Sequence, residues 1–210
     1  MTQKILSLCG LISPALFVFM TILGGALRPG YSHISDTVSE LFSPGSPNKT
    51  LLDVLHTTTA ILTILFGVGV LLFVRESGHT EPIGLIGAGM IITMGVVNVA
   101  TAAIYPQDAW GSPSTFQGEM HKILAGVLAI LSILSTLLIG IWLYRVDLFP
   151  GFGIYSFITV GVLIISGGFA LIKMGSPIMG LTERITILAG LQWTVTLALK
   201  VFSMRGKPVA

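Results

Sequence analysis

Charged side chains are scarce in this sequence of 210 residues: Asp, Glu, Lys and Arg make up only 10% of it. A soluble domain carries about 25% charged residues, whereas 53% of this chain is hydrophobic. The chain therefore lacks the polar surface that keeps a protein monomeric in water. This composition excludes a soluble globular enzyme, a disordered regulator and a free nucleic-acid-binding protein, so we expect no nucleic acid among its partners.

Cysteine and the signature motifs of nucleotide and hydrolase chemistry are also missing. Cys9 is the only cysteine, which excludes an intrachain disulfide and a cysteine-rich metal site. The sequence contains no P-loop, GxGxxG, HExxH or GxSxG pattern. Any chemistry must therefore come from residues that the fold brings together.

Long apolar stretches are abundant, and each is close to the roughly 20 residues that cross a bilayer core as a helix. They predict an all-α polytopic integral membrane protein, a six-transmembrane-helix bundle that forms a single domain over residues 1–210. The first stretch is longer than the about 7–15 apolar residues of a signal-peptide core, so we interpret it as a retained helix. The predicted spans are approximately 5–27, 51–74, 83–104, 123–144, 153–172 and 185–204.

Lys and Arg near the span ends predict which side of the membrane each loop occupies. We expect both termini in the cytoplasm and the protein in the plasma membrane, because the inner loops are then short and the basic carboxyl-terminal cluster lies inside. In this orientation the inner side holds Lys4, Arg75, Arg145, Lys200, Arg205 and Lys207, and the outer side holds Arg28, Lys49, Lys122, Lys173 and Arg184.

The first outer loop, residues 28–50, contains an amphipathic segment. Its apolar residues share one helical face, while Asp36, Ser39 and Glu40 point elsewhere. This pattern predicts a short interfacial helix that lies on the membrane surface. The apolar residues of that face are Ile34, Val38, Leu41 and Phe42.

Most ionisable residues cluster on the predicted outer side. Helix capping explains part of the cluster, because a carboxylate at a helix start stabilises the helix dipole by about 0.3–1 kcal/mol. Thr182, for example, has the position of an N-cap before Glu183. The clustering still places any polar site on the outer face. Its members are Asp36, Glu40, Asp53, Asp108, Glu119 and Glu183, with His33, His56 and His121.

His56 lies about one turn inside the second span, on the same face as Asp53. An ionisable residue within a membrane span is a candidate for function, and Asp53 is placed to orient the imidazole ring. The structural alternative is a buried neutral histidine that bonds Asp53 or a backbone carbonyl.

His121 opens the fourth span and follows a loop that contains Asp108. A carboxylate–histidine pair suits general acid–base catalysis, with His121 as the base and Asp108 as the group that orients it. Ser39 is a candidate nucleophile or oxyanion donor, and Glu119 a candidate proton shuttle. The structural alternative for Ser39 is a helix cap.

A zinc site is a further interpretation of the same residues. His33, His56 and His121 with Asp108 supply three nitrogens and one oxygen, a ligand set that suits zinc. No two of these histidines have a close ligand spacing. The zinc site therefore depends on the fold bringing distant residues together.

The third span is rich in small residues: Gly84, Gly87, Gly89 and Gly95, with Ala88. Such residues let helices approach closely in a membrane. We expect close helix packing here in preference to a ligand groove, and a homo-oligomer through this span is a further expectation.

Three segments resemble the bacterial and archaeal membrane family known as domain of unknown function 998. They are PGYSHISDTVSEL, then YPQD followed by GEMH, and GLTERI at the start of the last span. The resemblance covers nearly the whole chain, with six spans and the polar motifs in the same order. It implies no activity, but it implies that the following are polar positions of the family: Tyr31, Ser39, Glu40, Asp108, His121, Glu183 and Arg184.

Two functions of different classes remain open. One is a polar pocket on the outer face that binds a lipid headgroup or a small polar ligand, with membrane lipids as partners. The other is a metal- or acid/base-dependent hydrolase that acts on a lipid from the outer leaflet. Transport is less favoured, because the chain has no evident internal duplication. The pocket wall is predicted to comprise Tyr31, Glu40, Asp108, Glu119, His121, Glu183 and Arg184.

Overall fold

Six long helices dominate the computed structural model, which describes residues 2–109 and 111–204. All six are long and apolar enough to cross a membrane, so the chain is a multi-pass membrane protein with the predicted fold. Arg205 and Lys207, which entered the orientation prediction, lie outside the described residues. The helices are α1 (Thr2–Leu27), α2 (Lys49–Glu76), α3 (Pro82–Ala103), α4 (Phe116–Val146), α5 (Phe152–Ile172) and α6 (Met179–Ser203), and a 3-10 helix of four residues, Ser39–Phe42, lies between α1 and α2.

α4 and α6 begin earlier than hydropathy predicts. α4 follows Thr115, whose hydroxyl accepts a hydrogen bond from the N–H of Gly118 at 3.1 Å. α6 begins at Met179, so Thr182 lies in its first turn and donates to the Met179 carbonyl instead of capping the helix. Hydropathy marks where a helix becomes apolar. In α4 and α6 the helical backbone begins about two turns before that point.

Helices that are consecutive in the chain pack side by side, and α6 returns to α1, which closes the bundle into a ring. The main hydrophobic core lies near the two short loops, residues 77–81 and 147–151. There the ring of Phe73 contacts those of Trp142 and Phe149, with centroids 5.5 and 5.6 Å away. We call the opposite end, which carries the loops 28–48, 104–115 and 173–178, the long-loop end.

The first loop folds into the long-loop end of the bundle. Val38, Leu41 and Phe42 are buried against Met20 of α1 and Leu52 of α2. The predicted short helix is therefore present, but it is a single 3-10 turn, and its buried apolar side chains face protein instead of a membrane surface. The sequence alone assigned this apolar face to lipid. In the structure its buried side chains pack against α1 and α2 instead.

Three glycines of α3 allow close packing within the chain. A Cβ at Gly87 would lie 2.9 Å from a side-chain carbon of Ile139 in α4. A Cβ at Gly95 would lie 2.9 Å from the backbone oxygen of Ala60 in α2, and Gly84 packs in the same way against Trp142. The predicted close packing is thus seen against α2 and α4, while oligomerisation through α3 stays a prediction.

The glycines of α3 provide a matched test of this packing. We expect Gly95→Ala to destabilise the protein by about 1–3 kcal/mol, because the backbone of α2 must move to admit the methyl group. Gly89→Ala should be neutral or slightly stabilising, because Gly89 has open space where a Cβ would lie. Thermal unfolding in detergent checks both, and equal melting temperatures for the two variants would contradict the packing.

Candidate active site

Arg184 of α6 anchors the first loop to the bundle. Its Nη1 donates hydrogen bonds to the backbone carbonyls of His33, Asp36 and Gly180 at 2.9, 2.7 and 2.9 Å. Its Nη2 bonds the hydroxyl of Tyr31. A guanidinium group presents several N–H donors in a fixed plane, so one side chain binds two carbonyls of the loop and one of α6.

Tyr31 lies close to two guanidinium groups. The guanidinium carbons of Arg28 and Arg184 lie 5.8 and 5.7 Å from its ring centroid, within the range of a cation–π interaction. Its hydroxyl donates to the Thr37 carbonyl at 2.8 Å. Burial raises the pKa of Tyr31 to about 12, against the lowering effect of Arg184, so the phenol stays protonated and can donate.

Two carboxylates hold backbone N–H groups next to the 3-10 helix. Glu40 accepts from the Thr37 N–H at 2.7 Å, and the Thr37 hydroxyl accepts from the Glu40 N–H at 3.3 Å, which is the reciprocal pairing of a capping box. Glu183 of α6 accepts from the Val38 N–H at 2.7 Å. Burial raises the pKa of Glu40, while the Thr37 N–H opposes this effect. Both carboxylates thus stabilise the loop backbone.

Ser39, the first residue of the 3-10 helix, contacts His121 of α4. The Ser39 Oγ lies 3.0 Å from the His121 Nε2, and the His121 Nδ1 lies 2.7 Å from the carbonyl oxygen of Tyr105. A carbonyl oxygen only accepts, so Nδ1 must carry a hydrogen. In the neutral ring Nε2 is then the acceptor, and the Ser39 hydroxyl donates to it.

This arrangement has the geometry of an activated serine nucleophile. A serine becomes nucleophilic when an adjacent histidine accepts its proton, and a third group fixes the tautomer of that histidine. Here the third group is the Tyr105 carbonyl, where serine proteases use a carboxylate. Ser39 and His121 are both partly exposed.

Asp108 was predicted to orient His121. It lies in the same loop as Tyr105, between α3 and α4, and binds Thr115 instead. Its carboxylate accepts hydrogen bonds from the N–H and the hydroxyl of Thr115, at 2.8 and 2.7 Å. Glu119, predicted as a proton shuttle, is exposed and bonds Ser114 and, at 2.8 Å, Lys122. Both acids stabilise the beginning of α4.

The histidines at positions 33, 56 and 121 have different surroundings. His33 is exposed and packs edge-on against Tyr31, with centroids 5.2 Å apart. His56 stacks on Phe42 at 5.0 Å. Burial, and then the charge of Arg184, lower the pKa of His33. Within residues 2–109 and 111–204 no group of three or more His, Cys, Asp or Glu side chains is arranged to hold a metal ion.

Two parts of the site were not predicted from the sequence. The Tyr105 carbonyl has no sequence signal, because every residue carries one. The capping box had a signal, the spacing of Thr37 and Glu40, which predicts the start of a helical turn.

Two apolar depressions lie beside α1 and α6, and the smaller one adjoins the loop. A cavity of about 220 Å³ is lined by Val38, His33 and Arg184 together with residues of α1 and α6. A larger groove of about 860 Å³ runs along α1, α5 and α6. Val18 and Leu188 line both, so the cavity and the groove are neighbours.

The family model described as "Protein of unknown function (DUF998)" matches residues 11–200. The matched segment contains Ser39, Tyr105, His121 and Arg184. No curated protein and no solved structure matches the chain significantly.

Arg184 allows a direct test of the loop anchor. We expect Arg184→Met to increase hydrogen exchange of the amides of residues 37–41 by about tenfold or more, because the loop carbonyls of His33 and Asp36 lose their donor. Arg145→Met is the matched control, since Arg145 forms an exposed ion pair with Glu81 at 3.6 Å. Unchanged exchange in Arg184→Met would show that the loop is held by other contacts.

Asp108 should contribute to stability in a pH-dependent way. The hydrogen bonds from Thr115 lower the pKa of Asp108. An acid with a lowered folded pKa stabilises the fold above its unfolded pKa, which is about 4, and this contribution is lost as the pH falls through the folded pKa. We therefore expect Asp108→Asn to lower the melting temperature at pH 7, with a difference that shrinks below about pH 4.

A double-mutant comparison isolates that pair. In a Thr115→Val background, Asp108 loses the hydroxyl donor, so the effect of Asp108→Asn at pH 7 should become smaller. A pH-independent effect of Asp108→Asn would contradict its assignment as an ionised cap.

Proposed function

The chain belongs to the DUF998 family, whose description assigns no activity, and we propose from its own residues that it is a membrane-embedded serine hydrolase. Its substrate is an ester or amide of a membrane lipid, and its site faces the extracytoplasmic side. The observation that carries this proposal is the hydrogen-bonded series from Ser39 through His121 to the Tyr105 carbonyl. The distribution of Lys and Arg supports the orientation.

The reaction follows from the protonation states that the hydrogen bonds favour. The Ser39 Oγ attacks the substrate carbonyl carbon while its proton moves to the His121 Nε2. The tetrahedral intermediate then expels the alcohol or amine, which takes that proton from His121, and an acyl group remains on Ser39. Water releases the acid by the same steps in reverse order. The Tyr105 carbonyl holds the imidazole and stabilises its positive charge during both stages.

The apolar depressions near the loop support a lipid substrate. Val38, which precedes Ser39, lines the small cavity, and the groove along α1, α5 and α6 lies next to that cavity. Burial of a methylene chain in such a groove is favourable by about 0.8 kcal/mol per CH₂ transferred from water. The polar bond of the substrate then lies near Ser39 at the membrane boundary.

The charged residues support a hydrolase over a pocket for a polar ligand. Arg184, Glu40 and Glu183 direct their hydrogen bonds to the loop backbone. Their clustering therefore has a folding explanation. The Ser39–His121 pair, in contrast, has the geometry of a serine nucleophile with its general base.

A fluorophosphonate probe tests the proposal. It reacts with activated serines: the serine oxygen displaces fluoride at phosphorus, and the proton leaves through the histidine. We expect the protein in detergent to be labelled at Ser39, the Ser39→Ala variant to show no labelling, and His121→Gln to react about 10²–10⁴ times more slowly. Mass spectrometry of the labelled peptide locates the adduct.

Ser35→Ala is the matched control, because Ser35 lies in the same loop and bonds Asp36 instead of a histidine. Its labelling should equal that of the unsubstituted protein, and the melting temperatures of all variants should be compared. Equal labelling of Ser39→Ala and the unsubstituted protein would refute the assignment of the nucleophile.

A further inference from the structure

Two buried polar atoms of α2 have no hydrogen-bond partner within the described part of the chain: the Oδ1 of Asp53 and the Nδ1 of His56. Buried polar atoms are paired in the great majority of cases, so each exception calls for an explanation. The predicted bond between Asp53 and His56 is not formed. Asp53 instead uses its other oxygen, Oδ2, to pair with Lys49.

Asp53 and His56 present chemically complementary atoms. Asp53 and His56 are three residues apart on one helix, a spacing that brings Cβ atoms to about 5–6 Å and side chains to one face. The carboxylate oxygen accepts hydrogen bonds, and a protonated imidazole nitrogen donates one. A small molecule that both donates and accepts satisfies the two atoms at once.

This pair lies next to the proposed nucleophile. The ring of His56 stacks on that of Phe42, with centroids 5.0 Å apart and planes inclined by 29°. Phe42 follows Ser39 by three residues in the 3-10 helix, where side chains at that spacing lie over one another. The His56–Phe42 stack and the Ser39–His121 contact therefore place both histidines against the same 3-10 helix.

We propose that Asp53 and His56 bind the water molecule that hydrolyses the acyl group on Ser39, an inference that rests on the proposed function. Water has two hydrogens and two lone pairs. One hydrogen goes to the Asp53 Oδ1 and one lone pair accepts from His56. The second hydrogen passes to the His121 Nε2 while the second lone pair attacks the acyl carbon. The Ser39 oxygen leaves and regains its proton from His121.

The same count distinguishes water from an alcohol as the acyl acceptor. An alcohol has a single hydroxyl hydrogen, which cannot serve both Asp53 and His121. Asp53 and His56 therefore favour water over an alcohol as the acyl acceptor, which makes the protein a hydrolase in preference to an acyl transferase.

Rapid mixing of the full-length chain in detergent with p-nitrophenyl butyrate separates the two stages. Release of p-nitrophenol in the first turnover reports acylation of Ser39, and the steady state reports deacylation. In His56→Phe, which keeps the aromatic stack on Phe42 but removes both ring nitrogens, we expect normal acylation and a steady-state rate lowered about tenfold. Acylated Ser39 should accumulate, as intact mass will show, and added methanol should yield a larger fraction of methyl ester.

Asp53→Asn is the second variant and should show the same deacylation defect. Lys49→Gln is the matched control, because it removes the ion-pair partner of Asp53 but leaves Oδ1 in place. A purely structural role for His56 predicts a lower melting temperature and unchanged partition between acid and methyl ester, and that result overturns the inference. We expect His56→Phe to be at least as stable as the unsubstituted protein, since it removes a buried atom without a partner.

The two levels of the proposal fail differently. Normal deacylation and partition in both variants overturn the water site and leave the hydrolase standing. Absence of any p-nitrophenol release that depends on Ser39 overturns the hydrolase, and the water site with it.

Discussion

The hydrogen bonds from Arg184 to the first loop are the interaction on which the long-loop end depends. The carbonyls that Arg184 binds, those of His33 and Asp36, lie 151 and 148 residues earlier in the chain. The contact is possible because α6 closes the ring against α1. Ser39 follows Asp36 by three residues, so the anchor also sets the position of Ser39 relative to His121.

A loop that enters a membrane protein needs partners for its backbone, because lipid offers none. Arg28 and Arg184 donate to carbonyls, while Glu40 and Glu183 accept from N–H groups. Two positive and two negative side chains thus lie together, which lowers the free-energy cost of burying each of them. The one-sided cluster of charge, the most conspicuous pattern in the sequence, is largely explained by this requirement of the backbone.

The sequence predicted the six helices because long apolar runs leave few alternatives in a bilayer. It also proposed Ser39 and His121 as candidates because their side chains carry suitable chemistry, and the fold brings these two side chains into contact. It could not identify the group that orients His121, because a backbone carbonyl leaves no mark in the sequence. Asp108 was expected in that role. It binds Thr115 instead, since the start of α4 offers it an N–H and a hydroxyl within the same loop.

Polar groups that the fold does not use are a better guide to function than the charged cluster. Thr37 caps the 3-10 helix, so Ser39 does not have that role. The Ser39 hydroxyl contacts the His121 Nε2, which can accept its proton. Asp53 and His56 each keep a buried atom unpaired in the described residues. Folding alone favours paired polar groups, and departures from that rule concentrate at functional sites. We therefore expect the chemistry around Ser39, where polar side chains are not all engaged in hydrogen bonds that the fold requires.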